Sequence, residues 1–281
     1  MARTADIRRP RGRPPSMRSA QNAGSVQSLD RALALLEHIA AEDGLTLTDL
    51  AQRAGVAPST AHRILTTLQA HDYVEHEDER GLWLIGVRAF EVGASFLRNR
   101  KLVGIGRSIM RELMENSGES VNLAIEDNGD IVFISQVESH HAIRAFHRPG
   151  SRGALHASSA GKAFLATCSN STVRKMLHKT GMERFTDKTL VEPERLFEEL
   201  EVIRERGWAV DDEERTPGMR CIASPIYNEY GEAIACVSLS GPTVRMSDER
   251  LGELGPMVRR AAEKITRSIG GYPPHPAQPA H

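Results

Sequence analysis

Residues 46–69 read as two short helices meeting at a sharp corner, and this constrains the chain more than any other stretch. Thr46 and Asp49 stand three apart, as a helix cap and its acidic partner. The helix they open carries Leu50, Ala51 and Ala54 inward. Gly55 supplies the corner, where a positive φ is needed. Pro58 suits the first turn of the next helix, whose N–H groups have no intrahelical acceptor. In that helix, residues 59–69, about 100° per residue gathers Ala61, Ile64, Leu65 and Leu68 on one face. Ser59, His62, Arg63 and Thr66 fall on the other, with Thr60 and Thr67 flanking. The polar face is short, biased to positive charge and free of Asp and Glu. Such a face suits a major groove, where Arg reads guanine or phosphate and Ser, Thr and His read base edges. Double-stranded DNA is therefore the expected partner, through Ser59, Thr60, His62, Arg63 and Thr66.

The flanks complete a winged helix-turn-helix over residues 26–88. Residues 28–41 repeat apolar side chains at helical spacing. Residues 73–76 and 82–85 read as a hairpin around an acidic tip, Glu77 to Gly81. That wing is expected to pack rather than to hold phosphate. Residues 86–99 resume helical spacing through Val87, Phe90, Ala94 and Leu97, and a linker helix is expected at 89–103.

The chain has 281 residues, enough for two domains, and a net charge of −1. The charge is unevenly placed. Residues 1–20 hold six arginines against one aspartate, a net of +5, so the rest carries −6. Residues 1–25 read as a disordered basic arm that can neutralise phosphates. Arg11 and Arg13 within Arg-Gly-Arg-Pro match the core of a minor-groove hook, and equally a generic basic arm. No apolar run is long enough for a membrane span. Three widely spaced cysteines with no CxxC suit a reducing, cytoplasmic setting.

Residues 104–271 read as an α+β domain on one largely antiparallel sheet. Strands are expected at 121–127, 131–137, 143–147, 221–227 and 233–240, and helices at 105–117, 158–167, 171–179, 194–206 and 247–269. The Pro-rich end, 272–281, reads as a disordered tail.

Enzyme motifs do not fit. Gly153 to Lys162 has the wrong spacing for a P-loop, and Ala163 stands where a Mg²⁺-binding hydroxyl is needed. His140 and His141 are adjacent and point apart on a strand, so no metal pair forms. Cys221, His156 and Asp211 can be drawn as a triad, but nothing in the sequence brings them together. Neither catalysis nor a cofactor is expected. Small polar residues are more informative: Ser158, Ser159, Ala160 and Gly161 at a helix start, Cys221, and Ser238 with Ser240 on one strand face. They suit a small carboxylate. They suit a sheet face of backbone-satisfying serines equally well.

Gln27-Ser28-Leu29, Ser59-Thr60, His62-Arg63, Trp83 to Gly86, Ser117 to Asn122, His156-Ala157-Ser158, Gly161 to Leu165, Asp211 to Glu214, Gly218 to Cys221 and Ser238 to Pro242 together resemble the IclR-type transcriptional regulators. The resemblance is to their glyoxylate-responsive branch, and it runs from about residue 26 to 270. It implies a winged helix-turn-helix joined to a PAS/GAF-like effector domain, and homodimers or homotetramers on palindromic operators. It also implies a small 2-oxo acid effector, glyoxylate or pyruvate, and repression or activation of two-carbon metabolism genes. Its polar contacts would be the Ser159-Ala160 backbone, Asp211, Cys221, Ser238 and Ser240, with Met219 nearby. Ala142, Ala145 and Gly153 stand where larger aliphatic walls are usual, Ser159 replaces a usual Gly, and Ala154 replaces a usual Pro. A wider pocket and a larger organic acid are the alternative.

Overall fold

The structure is a computed structural model that describes residues 26–42, 44–98 and 101–273. Arg11, Arg13 and the expected basic arm lie outside these residues, as does most of the expected C-terminal tail. The chain divides into two compact units, with the boundary between Ser95 and Phe96.

In the first unit, α1 (Gln27–Ala41), α2 (Leu47–Arg53) and α3 (Pro58–Ala70) pack with a three-stranded sheet. Its strands are β1 (Leu45–Thr46), β2 (Val74–Glu77) and β3 (Leu82–Ile85), in the order β1-β3-β2. Leu35, Ile39, Leu50, Leu65, Val74 and Trp83 form the core. Thr46 Oγ1 accepts from the Asp49 N–H at 3.3 Å, which starts α2 as its sequence requires. Gly55 turns the corner at φ +62°. β1, too short to show periodicity, extends the wing by pairing with β3.

The chain leaves this unit along α4 (Val87–Arg98), and a second helix, α5 (Lys101–Ser117), starts earlier than the expected residue 105. The second unit is built on a six-stranded antiparallel sheet. Its strands are β4 (Ser120–Asp127), β5 (Asp130–Val137), β6 (Arg152–Ala154), β7 (Ala209–Asp212), β8 (Met219–Tyr227) and β9 (Ala233–Pro242). Their order is β6-β5-β4-β9-β8-β7. α5 and α9 (Asp248–Ser268) cover one face through Met110, Leu113, Val258 and Ile265. α6 (Ser159–Thr167), α7 (Asn170–Thr180) and α8 (Pro193–Arg206) cover the other through Ala163, Leu165, Val173, Leu196 and Leu200.

The strand expected at 143–147 does not form. The outer edge of β5 pairs with β6 instead. Residues 138–151 form a loop held by side chains: Ser120 Oγ donates to the Ala145 carbonyl at 2.9 Å, and Arg245 to that of Ile143 at 2.9 Å. β7 was not expected. It is a four-residue edge strand that begins two residues after the left-handed Gly207 ending α8.

Candidate nucleic-acid interface and effector site

α3 presents Ser59, His62, Arg63, Thr66 and Thr67 to solvent, while Ala61 and Leu65 are fully buried. Thr60 is half-buried. Thr66 Oγ1 donates to the His62 carbonyl and Thr67 Oγ1 to that of Arg63, each at 2.9 Å. Thr66 therefore offers an outside partner lone pairs and a methyl group rather than a proton. The wing is inwardly bonded. Arg80 pairs with Glu77 at 3.4 Å, His76 with Asp78 at 2.8 Å, and the His76 ring rests on Trp83 at 4.8 Å.

In the second unit the site is made by strand register. Asp211 is opposite Cys221, Cys221 opposite Ser240, and Ser240 opposite Ser120. Directly opposed residues share a sheet face, so these four form one transverse row. Two residues along, Ala223, Ser238, Asn122 and Gln136 form a parallel row on the same face. Met219 begins the outer row, opposite Pro242. Asn122 Nδ2 donates to Ser240 Oγ at 3.1 Å, and Gln136 Nε2 to Asn122 Oδ1 at 2.7 Å. The N-terminal turn of α6 lies over this face. Ser158 caps it, accepting from the Gly161 N–H at 3.1 Å, and Cys236 Sγ donates to the Ala160 carbonyl at 3.3 Å. Only glycine fits at 161, because a Cβ there would sit 2.2 Å from the Leu155 carbonyl oxygen.

Of the expected contacts, Ser159, Ala160, Asp211, Met219, Cys221, Ser238 and Ser240 belong to the rows or the turn above them. Gly153 sits on β6, opposite Ile131. Ala145 is buried with its carbonyl bound to Ser120, whereas Ala142 is exposed on the loop. The expectations did not include Ser120, Asn122 or Gln136 as site residues. The alternation of Ser120 and Asn122, the same as that of Ser238 and Ser240, was the available signal.

Burial pushes the Asp211 carboxyl up to about 7, and the Glu214 carboxylate adds to this, although the Glu214 N–H donates to Asp211 Oδ1 at 2.8 Å. The Cys221 thiol is pushed up mainly by burial and then by Asp211, so it is not a ready thiolate. Lys162 and Glu214 form a buried ion pair between α6 and the segment after β7. His156 gives Nε2 to the Glu183 carbonyl at 2.9 Å and stacks on Phe185, so the triad drawn from Cys221, His156 and Asp211 is not assembled. A cleft of about 360 Å³, lined by Arg184, Lys188, Arg195, Asp212 and Glu214, opens beside the segment after β7. Asp212 alternates with Asp211 and faces away from the polar rows. Among the described residues no group of three or more His, Cys, Asp or Glu is placed to hold a metal ion. No helix among them is long and apolar enough to cross a membrane.

A winged helix-turn-helix with an open polar third helix, followed by an α/β unit with a buried polar face, defines a transcriptional regulator with a separate second domain. Residues 28–78 match the IclR helix-turn-helix domain, and residues 94–267 match the family described as bacterial transcriptional regulator IclR C-terminal. The chain belongs to the IclR family of transcriptional regulators. It is 48% identical over 258 residues to the HTH-type transcriptional regulator BhcR of Paracoccus denitrificans, covering 92% of each chain. It is 46% identical over 270 residues to the transcriptional repressor IclR of Escherichia coli, covering 95% of this chain and 98% of that one. It also resembles the solved structure of an IclR homolog from Microbacterium hydrocarbonoxydans complexed with 4-hydroxybenzoate. That match has a TM-score of 0.76 and 25% identity, and covers 86% of this chain and 99% of the other.

Proposed function

We infer that this protein is a repressor whose affinity for a palindromic operator is set by a small 2-oxo acid, glyoxylate or pyruvate, bound in the second domain. The observation that carries this reading is the meeting of the α6 N-terminal turn with the Asp211–Cys221–Ser240 row. Backbone N–H groups of a helix N-terminus favour an anion. Asp211, protonated in part near neutrality, can donate a hydrogen bond to a ligand oxygen, and Ser240, whose oxygen accepts from Asn122, supplies a further donor. The relatives named as repressors support repression as the output, and the homolog complexed with 4-hydroxybenzoate supports an acid ligand in this domain.

DNA is read by Ser59, Thr60, His62, Arg63 and Thr66 of α3, with Arg11 and Arg13 of the N-terminal arm as accessory phosphate or minor-groove contacts. A homodimer, alone or paired into a tetramer, suits the apolar side chains that α1 and α4 leave exposed, Leu29, Leu33 and Phe90 among them. Two recognition helices would then enter successive major grooves about one helical turn apart. The acid acts by binding one arrangement of the DNA-binding domains better than the other, and it shifts operator affinity by no more than that difference. The regulated genes serve glyoxylate or two-carbon metabolism, and the protein works in the cytoplasm.

Calorimetry of the full chain with glyoxylate, pyruvate and a panel of organic acids tests the sensor reading. Saturable binding of a 2-oxo acid, weakened at least about tenfold by Ser240→Leu, is the expected result, since a bulky apolar group there removes a hydroxyl and fills the row. No binding by any acid would leave a static DNA-binding protein whose second domain only assembles it.

A further inference from the structure

The polar rows are one end of the site. At the other end the same sheet face carries Phe133, which stands opposite Ala124, itself opposite Cys236 and in line with Ser238. The His147 ring lies flat on Phe133, with centroids 4.3 Å apart and planes 14° from parallel. Ser151 is fixed beside it, because the Phe133 N–H donates to the Ser151 carbonyl at 3.0 Å and the Gly150 N–H to the Phe133 carbonyl at 2.7 Å. His147 Nε2 and Ser151 Oγ are both buried with no hydrogen-bond partner among the described residues. Buried polar atoms are nearly always paired, so two orphans on the short segment held against Phe133 mark a place where a partner is expected. A Cβ on Gly153 would lie 3.7 Å from Phe133 Cε2 and 4.0 Å from Ser158 Oγ, the cap of α6, ordinary contact distances, so the glycine leaves room of about one methyl group beside both the ring and the α6 turn. His147 is held neutral by burial and by the Arg215 guanidinium. A neutral imidazole pairs well with an uncharged hydroxyl.

The geometry points to His147 and Ser151 as specificity-determining residues that select a 2-oxo acid bearing a hydroxyl at the end remote from its carboxylate. The inference rests on the effector reading above, and it places the acid between the α6 turn at Ser158 and the Phe133 ring, which flank Gly153. Pyruvate and hydroxypyruvate, which differ only by that hydroxyl, form the test pair. Calorimetry of the full-length wild type should give hydroxypyruvate at least a ~10-fold advantage over pyruvate, because a site built to pair a hydroxyl discriminates against the analogue lacking it. His147→Ala should erase the advantage and leave pyruvate affinity within about twofold, and Ser151→Ala should reduce it. Equal wild-type affinity for the two acids would overturn the inference and leave the effector reading standing. A uniform loss for both acids in His147→Ala would also overturn it. Binding of neither acid would overturn both. The wild-type comparison decides the matter even if a variant fails to fold.

Discussion

Asp211 stands directly opposite Cys221 across the β7–β8 ladder, and the row they begin continues through Ser240 to Ser120 beneath the first turn of α6. This puts a buried carboxyl among hydroxyls and a thiol, while Lys162 is paired with Glu214 rather than with Asp211. Burial, and after it the Glu214 carboxylate, hold the carboxyl up to about 7, far above its ordinary 3.8.

An acid whose folded pKa exceeds its unfolded one costs nothing below the unfolded value. It costs progressively more as pH rises toward the folded value, because the unfolded state releases its proton first. Asp211 therefore weakens the fold between about pH 4 and pH 7, and Glu214, also shifted up by burial, acts in the same sense. Asp211→Asn should gain several degrees in Tm at pH 8 over wild type and little at pH 4. Thermal melts across that range check it, and a Tm difference independent of pH would contradict it.

The Lys162–Glu214 pair is almost fully buried on both sides. Removing one partner of such a pair leaves an uncompensated charge and costs about 3–5 kcal/mol, whereas replacing both with apolar groups is often neutral. Glu214→Ala should therefore destabilise strongly in urea titrations. Lys162→Met with Glu214→Leu should recover most of the loss.

On α3, Arg63 is exposed and faces the same way as His62 and Ser59. Arg63→Ala should weaken operator binding by roughly tenfold or more, in line with losing a contact of about 1–3 kcal/mol. Glu79→Ala, at the acidic wing tip, should leave it unchanged. Equal mobility shifts for wild type and Arg63→Ala would remove α3 as the reading element.

Deleting residues 1–20 takes away six arginines. If the arm neutralises phosphates, the slope of log affinity against log salt should flatten by up to about 0.9 per lost contact. An unchanged slope would mean that the arm does not touch DNA.

The DNA-binding half was legible because its determinants are local. Thr46 with Asp49, Gly55 and Pro58 act within a few residues of one another, and α2, the corner and α3 formed where they indicated. In the second domain, elements were legible and their assembly was not. Ser238 and Ser240 announce a shared face, but Asn122 reaches Ser240 across 118 residues of sequence. In the sequence Lys162 reads only as the lysine of a P-loop that does not fit, since Glu214, its partner, lies 52 residues away. Ile143, Ala145 and His147 carry strand alternation yet form a loop, because Ser120 and Arg245 take their carbonyls and β6 takes the edge of β5.

The most direct measurement is a mobility shift with the full chain on the DNA upstream of its own coding region, titrated with and without glyoxylate and pyruvate. A specific complex whose apparent Kd changes at least about tenfold with one of these acids, and does not change in Asp211→Leu, is the predicted result. A specific complex with the same Kd in the presence and absence of every acid would contradict metabolite control of operator binding.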